Sequence, residues 1–247
     1  MQLINMDLDR RVALYRTLRN LSPQAWESFH QKINLSLLFH DYAMDGVALT
    51  ECDMSRALSN APPRHHCDGE MLEGIRNTLE GIHLARQFAE ERGAPGLEEI
   101  KRFHAILLPV DSQQAGRYRK TEGPMMPYCH EITRTPSISY RLRKLVDAIP
   151  EMLAQLHPIM AAALIHHEFM SIWPFDHRSA TAGRLLLNGC LMRGGYPPAI
   201  IHATDRQTYY AALCDRPEAM IPVVVEALEL TLQGADAFFS RRAERVA

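Results

Sequence analysis

The stretch LIHHEFMSIWPFDHRSATAGRLLLNGCLMRGGYPPA, residues 164–199, decides the fold of this chain. The residues from Pro158 to Met170, which include its beginning, are apolar nearly all round and predict a central helix covered by its neighbours. The chain then turns at Trp173-Pro174, passes the polar segment Asp176-His177-Arg178-Ser179 and enters a second helix near Ala180. A polar loop that leads into a helix N-terminus predicts an anion site, because free backbone N–H groups point into the loop.

Outside this stretch, apolar residues recur at spacings of three and four, which predicts amphipathic helices. One region departs from this pattern: Gly116 to Tyr140 carries Pro124, Pro127 and Pro136 and predicts a short, irregular β-hairpin. We therefore expect an all-α fold with one small β-hairpin. The helical stripes are Leu72, Ile75, Leu79 and Ile82; Ile100, Phe103, His104 and Leu107; Leu145, Ile149, Met152, Leu153 and Leu156; and Met220, Val223, Val224 and Ala227.

Composition excludes several classes of protein. The 247 residues carry a net charge of -2, so nothing attracts the chain as a whole to nucleic acid or to an anionic membrane. No run approaches the roughly 18 apolar residues that span a bilayer, and the first residues lack the apolar run of a signal peptide. We expect a cytoplasmic protein with neither nucleic-acid nor membrane partners, and homo-oligomerisation is left open.

The polar loop carries the candidate chemistry. His177 is the candidate for proton transfer, since an imidazole titrates near neutral pH, and Asp176 beside it could orient it. Basic and hydroxyl side chains follow, and they could hold an anion: Arg178, Ser179, Thr181 and Arg184. A helix start capped by Ser179, with solvated arginines around it, is the alternative interpretation.

This segment resembles the core of the Fic (filamentation induced by cAMP) family, whose pattern is H-P-F-x-[D/E]-G-N-G-R-x-x-R followed by a G-Y-P-P-like turn. Residues 172–175, Arg184 and residues 193–198 fall on that pattern without a gap. His167-Glu168-Phe169 resembles the helix before the motif. Residues 116–119, GRYR, resemble the start of the substrate-binding flap, and residues 42–46, YAMDG, resemble the inhibitory helix of many members.

The resemblance implies a helical Fic-like core over residues 61–247 and N-terminal helices over 1–60, with a hairpin flap above one cleft. It implies substrate-binding roles for His167 and Tyr118, and regulatory roles for Asp41 and Asp45, of which Asp45 falls on the inhibitory glutamate. In the family, the motif histidine takes the proton from the target hydroxyl. Trp173 stands at that position, and an indole cannot act as a base.

Two hypotheses follow. In the first, a noncanonical enzyme acts on an anionic or phosphorylated small substrate over the 176–184 loop, for which the resemblance implies a nucleotide or other phosphate-containing donor with magnesium. In the second, a catalytically silent protein binds a nucleotide or a protein partner. The flap prolines favour a small molecule over a protein target, because they remove strand-pairing donors.

The shape of the cleft would separate the two hypotheses. An open pocket lined by His177, Arg178 and Arg184 would favour the enzyme, and Trp173 filling the pocket would favour the silent protein. No metal site is assigned, although a centre built from His40, His167 and His177 is left open.

Overall fold

The computed structural model describes residues 6–59, 62, 66–122 and 131–244. These residues form ten α-helices and three short 3-10 turns, at 135–137, 203–205 and 217–219. The α-helices are α1 (Met6–Leu21), α2 (Pro23–Met44), α3 (Glu51–Leu58), α4 (His66–Glu91), α5 (Leu97–Ala105), α6 (Ile138–Gln155), α7 (Pro158–Ile172), α8 (Ser179–Arg193), α9 (Arg206–Cys214) and α10 (Met220–Glu244).

Helix α7 is the axis of the core, as its sequence predicts. Ten of its residues are buried, and it packs against α6, α8 and α10. The helix begins at Pro158, and the His157 side chain caps it by accepting a hydrogen bond from the Ile159 N–H at 3.3 Å. Helix α8 lies between α4 and α7, and its residues 179–191 are all buried. The apolar stripes face this core, as expected.

The connection from α7 to α8 bends sharply at both of its ends. Trp173 and Arg178 have φ angles of 48° and 54°, in the left-handed region that residues other than glycine seldom adopt. Below this loop the two helices approach closely, because a Cβ added at Gly183 would lie 2.9 Å from Phe169 Cδ1. This geometry holds the 173–178 loop against the start of α8.

The all-α fold class is confirmed, but the Gly116–Tyr140 region differs in detail from its sequence prediction. Residues 123–130 lie outside the described part, and the described arms on either side contain no β-strand. The Arg119 N–H donates to the Pro174 carbonyl and the Thr133 N–H to the Ser171 carbonyl, each at 2.9 Å. The arm after residue 130 therefore pairs with a carbonyl in the last turn of α7, which the helix leaves without a partner, and the arm after Gly116 pairs with a carbonyl of the loop that follows α7. Helix α6 starts at Ile138, inside the predicted hairpin.

The N-terminal helices share the hydrophobic core of the rest of the chain. Leu8 of α1 and Phe29 of α2 belong to the same buried cluster as Ile165 and Val224. The division at residue 60 stays a prediction. Among the described residues, no helix combines the length and the apolar character needed to cross a membrane.

Candidate active site

Arg184 is the centre of the candidate site. Its side chain is buried, and it reaches from α8 to two carboxylates, those of Asp41 in the last turn of α2 and of Asp45 at the C-cap of this helix. Nε donates to Asp41 Oδ1 at 2.5 Å, and Nη2 donates to Asp45 Oδ1 at 3.2 Å. Burial lowers the pKa of Arg184, but the attraction of Asp41 and Asp45 outweighs burial, so the net shift is upward. The guanidinium therefore carries its charge inside the protein.

Arg178 contributes a second cation to the same carboxylates. Its Nη2 lies 3.7 Å from Asp41 Oδ2, and its Nη1 lies 3.8 Å from Asp45 Oδ2. The guanidinium lies 4.8 Å from the centre of the Tyr42 ring, and Nη2 donates to Thr78 Oγ1 at 2.7 Å. Two arginines thus face two aspartates.

The hydroxyl of Thr181 also binds Asp41, donating to Oδ2 at 2.9 Å. Three of the side chains expected to hold an anion, those of Arg178, Thr181 and Arg184, therefore hold carboxylates of the protein itself. An external anion at this position would compete with Asp41 and Asp45 for the same donors.

A small cavity of about 40 Å³ adjoins Arg184. Asp41 and Thr181 line it with Arg184, and most of the other walls are apolar. The Arg184 Nη1 atom is buried, and no group in the described part of the chain accepts its hydrogen bond. A space of this size has room for a few water molecules at most, so a nucleotide would need the α2 carboxylates to move.

His177 and Asp176 lie apart from this cavity. The side chain of His177 is exposed, and its carbonyl group is hydrogen-bonded by His104 Nε2 at 3.1 Å. The Thr121 hydroxyl donates to Asp176 Oδ1 at 2.6 Å, which ties the loop to the arm after Gly116. Of the three residues expected to line one open pocket, only Arg184 lines the cavity beside α2; His177 and Arg178 do not.

Trp173, at the position of the motif histidine, is buried, with 5% of its surface exposed. Its carbonyl accepts a hydrogen bond from Arg119 Nε at 2.7 Å. The same guanidinium also donates to the carbonyls of Thr121 and Thr133, so that one buried arginine joins both flap arms to the loop. Position 173 is thus a packing position in the hydrophobic core, and the Trp173 side chain does not line the cavity beside Arg184.

The other predicted residues occupy separate surroundings. Ser179 is the first residue of α8, and its Oγ accepts a hydrogen bond from the Phe175 N–H at 3.4 Å, while Arg178 is the N-cap residue and makes no side-chain cap. The expected cap by Ser179 is therefore absent. His167 Nε2 lies 3.1 Å from the Asp215 carbonyl oxygen, and the Tyr118 ring lies 6.2 Å from that of Phe175.

The three histidines considered for a metal centre, His40, His167 and His177, do not lie together around one point. The His40 ring lies 4.2 Å from the His202 ring, while His167 faces Asp215 and His177 faces solvent. Within the described ranges, no group of three or more histidine, cysteine, aspartate or glutamate side chains is arranged to hold one ion.

Sequence reasoning missed several residues of the site. Thr78, which binds Arg178, lies on the apolar stripe of α4 between Ile75 and Ile82, and a threonine on such a stripe is a detectable signal. His104 is buried against Phe175, with parallel rings 3.9 Å apart. Burial lowers the pKa of His104 to about 4, so it is neutral at pH 7: Nδ1 accepts from the Gly116 N–H, and Nε2 donates to His177.

Comparison with known proteins places these features in context. The model of the Fic/DOC family matches residues 95–191. The protein adenylyltransferase Fic of Nematostella vectensis is 28% identical over 186 residues, or 71% of this chain and 42% of that protein. The Drosophila persimilis protein of the same name is 26% identical over 219 residues, or 85% of this chain and 40% of its own length. The chain thus spans about two-fifths of the length of these relatives.

Solved structures share the fold. A Fic domain containing signaling protein from Bacteroides thetaiotaomicron superposes with a TM-score of 0.79 at 19% identity, covering 93% of this chain and 97% of that one. Fic-1 from C. elegans, in the E274G form, gives a TM-score of 0.76 at 22% identity, covering 94% and 72%. At these identities the likeness concerns the arrangement of the helices.

Proposed function

The chain belongs to the Fic/DOC family, and from that premise we propose that it binds a phosphate-containing or other anionic small ligand through Arg178 and Arg184. One observation carries the proposal: two arginines, one of them buried, meet above the start of α8 and bind the carboxylates of Asp41 and Asp45. Donors that hold two carboxylates have the charge and forked geometry to hold a phosphate.

In this form of the site, α2 keeps the anion position closed. A ligand gains contacts with Arg178 and Arg184 only when Asp41 and Asp45 give them up, so its affinity is reduced by the free energy of that exchange. Asp41 lies in the last turn of α2 and Asp45 is its C-cap residue, so a displacement of this end of α2 would move both carboxylates. The proposed regulation is therefore a competition between the ligand and α2.

The first candidate reaction is the transfer of a phosphorus-containing group from a phosphate-containing donor to an acceptor hydroxyl, with His177 as the base. The observation in its favour is that the imidazole is exposed beside Asp176, which Thr121 holds in place. His177 would take the proton of an acceptor hydroxyl as that oxygen forms its bond to phosphorus. The leaving group would depart with the electron pair of the broken bond. Curated relatives are named as adenylyltransferases, but Trp173 cannot perform the family's proton transfer.

Magnesium, which the family implies, does not fit the protein groups as a resident ion. Magnesium prefers oxygen ligands, whereas position 177 offers an imidazole, and the carboxylates of Asp41 and Asp45 are engaged by arginines. No step is therefore derived through a bound metal. Magnesium can also bind as a complex with the phosphates of the donor. Measuring the affinity of each ligand with and without magnesium tests this case.

The second candidate is a catalytically silent binding protein. It is favoured by Trp173, whose side chain packs in the core where the family has its base, and by the separation of His177 from the Arg184 cavity. Both candidates use the same anion site, so binding is tested first and turnover second.

Binding is tested by calorimetric titration of ATP, CDP-choline and inorganic tripolyphosphate, with and without magnesium. We expect the double variant Asp41→Asn/Asp45→Asn to bind one of these at least about tenfold more tightly than the wild type, since the competing charges are gone. Arg184→Ala in that background should weaken binding by a similar or larger factor. Equal affinities in the wild type and the double variant would overturn the proposed competition.

Turnover is then tested in the double variant, with the ligand that binds, by following release of the leaving group. On the enzyme candidate, His177→Ala abolishes release and leaves the dissociation constant unchanged, because the base acts only in the chemical step. Release that persists in His177→Ala excludes this base. Ligand binding without any release supports the silent protein.

A further inference from the structure

A second, larger cavity lies on another face of the molecule, between α1, the start of α2, the end of α4 and the turn after α8. Its volume is about 950 Å³, and five arginines line it, namely Arg16, Arg19, Arg86, Arg92 and Arg193. We propose that this cavity is a separate binding site for a small polyanion that carries a flat ring, a nucleoside phosphate in chemical class. The proposal goes beyond the anion site at α8, since Arg178, Arg184 and His177 do not line this cavity.

Charge is the first argument. Two acidic side chains, Glu27 and Glu90, stand among the five arginines, in a chain whose net charge is -2. Arg19 pairs with Glu90 at 3.4 Å, but in the described part of the chain Arg16, Arg92 and Arg193 form no salt bridge. Cations gathered around a concavity without their own counter-ions raise the local concentration of anions.

The geometry of the arginines favours phosphate over a monovalent anion. Arg193 uses its Nε to donate to the carbonyls of Arg92 and Gly93, at 3.1 and 3.0 Å, which fixes the side chain at the rim. Arg16 lies against the turn at Gly195, with its Cζ 2.8 Å from the position of a Cβ at that residue. Several guanidinium groups around one space suit several phosphate oxygens, because each group offers a fork of donors.

An aromatic wall is the second argument. The centre of the Trp26 ring lies 4.7 Å from that of Tyr15 and 4.4 Å from that of His30, and all three residues line the cavity. Burial, together with the smaller effects of the Arg86 and Arg19 charges, lowers the pKa of His30 to about 3, so the imidazole is neutral at pH 7. A neutral aromatic wall beside a cationic rim matches a ligand with a planar base at one end and phosphates at the other.

Buried polar atoms without hydrogen-bond partners are the third argument. His30 Nδ1 and Arg86 Nε are buried, and no partner for either exists within the described residues. Such atoms are uncommon in folded proteins, because each costs the free energy of its lost hydration. Arg86 also lines the smaller cavity beside Arg184, so one side chain borders both sites.

The two tryptophans of the chain allow each site to be observed separately. Trp26 lines the proposed cavity, and Trp173 adjoins the 176–184 loop. In Trp173→Phe, titration with ATP or inorganic tripolyphosphate should change the Trp26 fluorescence saturably, with ATP the tighter ligand and adenosine the weakest. In Trp26→Phe, the fluorescence of Trp173 reports binding near the loop before α8. The anion site of the proposed function is therefore tested independently of the cavity at Trp26.

Variants test whether the binding is specific. Arg16→Gln and Arg193→Gln should each raise the dissociation constant of ATP at least about tenfold. Arg10→Gln, an exposed arginine on α1 that does not line the cavity, should leave it unchanged. An absent Trp26 signal, or equal weakening by Arg10→Gln, would overturn the proposal. If Trp173→Phe does not fold, calorimetry on the chain with both tryptophans measures the dissociation constant of ATP with and without Arg16→Gln. Unchanged affinity in Arg16→Gln would again overturn the proposal.

Discussion

Asp41 accepts hydrogen bonds from both Thr181 and Arg184, and its side chain is 10% exposed. We expect Asp41→Asn to lower the free energy of unfolding by about 2–4 kcal/mol, because a buried guanidinium loses its nearest counter-charge. Inorganic phosphate should restore part of this loss, and more so than in the wild type, since the vacated position suits an anion. Urea denaturation with and without phosphate measures both effects.

Asp45→Asn is the matched control for this prediction. Asp45 lies on the same face of α2, but its side chain is 27% exposed and its bond to Arg184 is longer. Its replacement should cost about 1 kcal/mol. If Asp41→Asn were as stable as the wild type, the ion pair would contribute nothing to the fold.

The resemblance of residues 42–46 to the inhibitory helix selects Asp45, yet the structure makes Asp41 the closer partner of Arg184. Two carboxylates four residues apart in sequence can both reach one arginine. Which of them lies closer to Arg184 depends on the rotation of α2 about its axis, and tertiary packing sets that rotation. The position of His177, apart from the cavity beside Arg184, could not be predicted from the sequence for a related reason. The left-handed backbone at Arg178 directs the loop, and nothing in the residue type at that position announces it.

At the scale of elements, the contact between α7 and α8 depends on Gly183. A Cβ there would lie 2.9 Å from Phe169 Cδ1 and 3.0 Å from Met170 Sδ. Gly183→Ala should therefore lower the free energy of unfolding by about 1–2 kcal/mol, because the cost of overpacking exceeds the gain of about 1 kcal/mol from the helix propensity of alanine. Thermal or urea denaturation measures this change.

Gly234→Ala serves as the comparison, since Gly234 lies inside α10 and a Cβ there meets nothing within 4 Å. This variant should gain up to about 1 kcal/mol of stability. A stabilised Gly183→Ala would contradict the close approach of the two helices.

Helices were predictable here because each apolar stripe repeats at the helical period and faces one shared core. The flap was not, because its backbone partners lie elsewhere in the chain. Thr133 donates to a carbonyl in the last turn of α7 and Arg119 to the carbonyl of Pro174 in the loop after it, and local sequence does not show which distant donors will satisfy such carbonyls. Within residues 116–119, the side chain that holds the flap arms is the buried Arg119, and the substrate-binding role expected of Tyr118 stays a prediction.

At the scale of the whole molecule, four histidines have pKa values lowered below the ordinary value, so they are neutral in the folded protein at pH 7. One of them, His40 on α2, is half-buried, and burial is the main cause that lowers its pKa to about 4. The other three are buried in the core. They come from α2, α5 and α7, and their exposed fractions are 7%, 1% and 0% for His30, His104 and His166. Burial is the main cause that lowers their pKa values, to about 3, 4 and 3. Their hydrogen bonds join helices distant in sequence, as His166 lies between the Gly183 carbonyl and Tyr209.

These histidines make the free energy of unfolding depend on pH. In the unfolded chain each titrates near pH 6.5, so below that pH the unfolded state binds protons that the folded state refuses. Stability is therefore full above about pH 6.5 and falls as the pH approaches 4, by up to about 1.4 kcal/mol per pH unit for each histidine. Urea denaturation between about pH 7.5 and pH 5 should show this slope. His104→Gln should reduce it by about a quarter, since one of the four groups is removed. A stability that stays flat over this range would mean that the four imidazoles accept protons inside the folded protein.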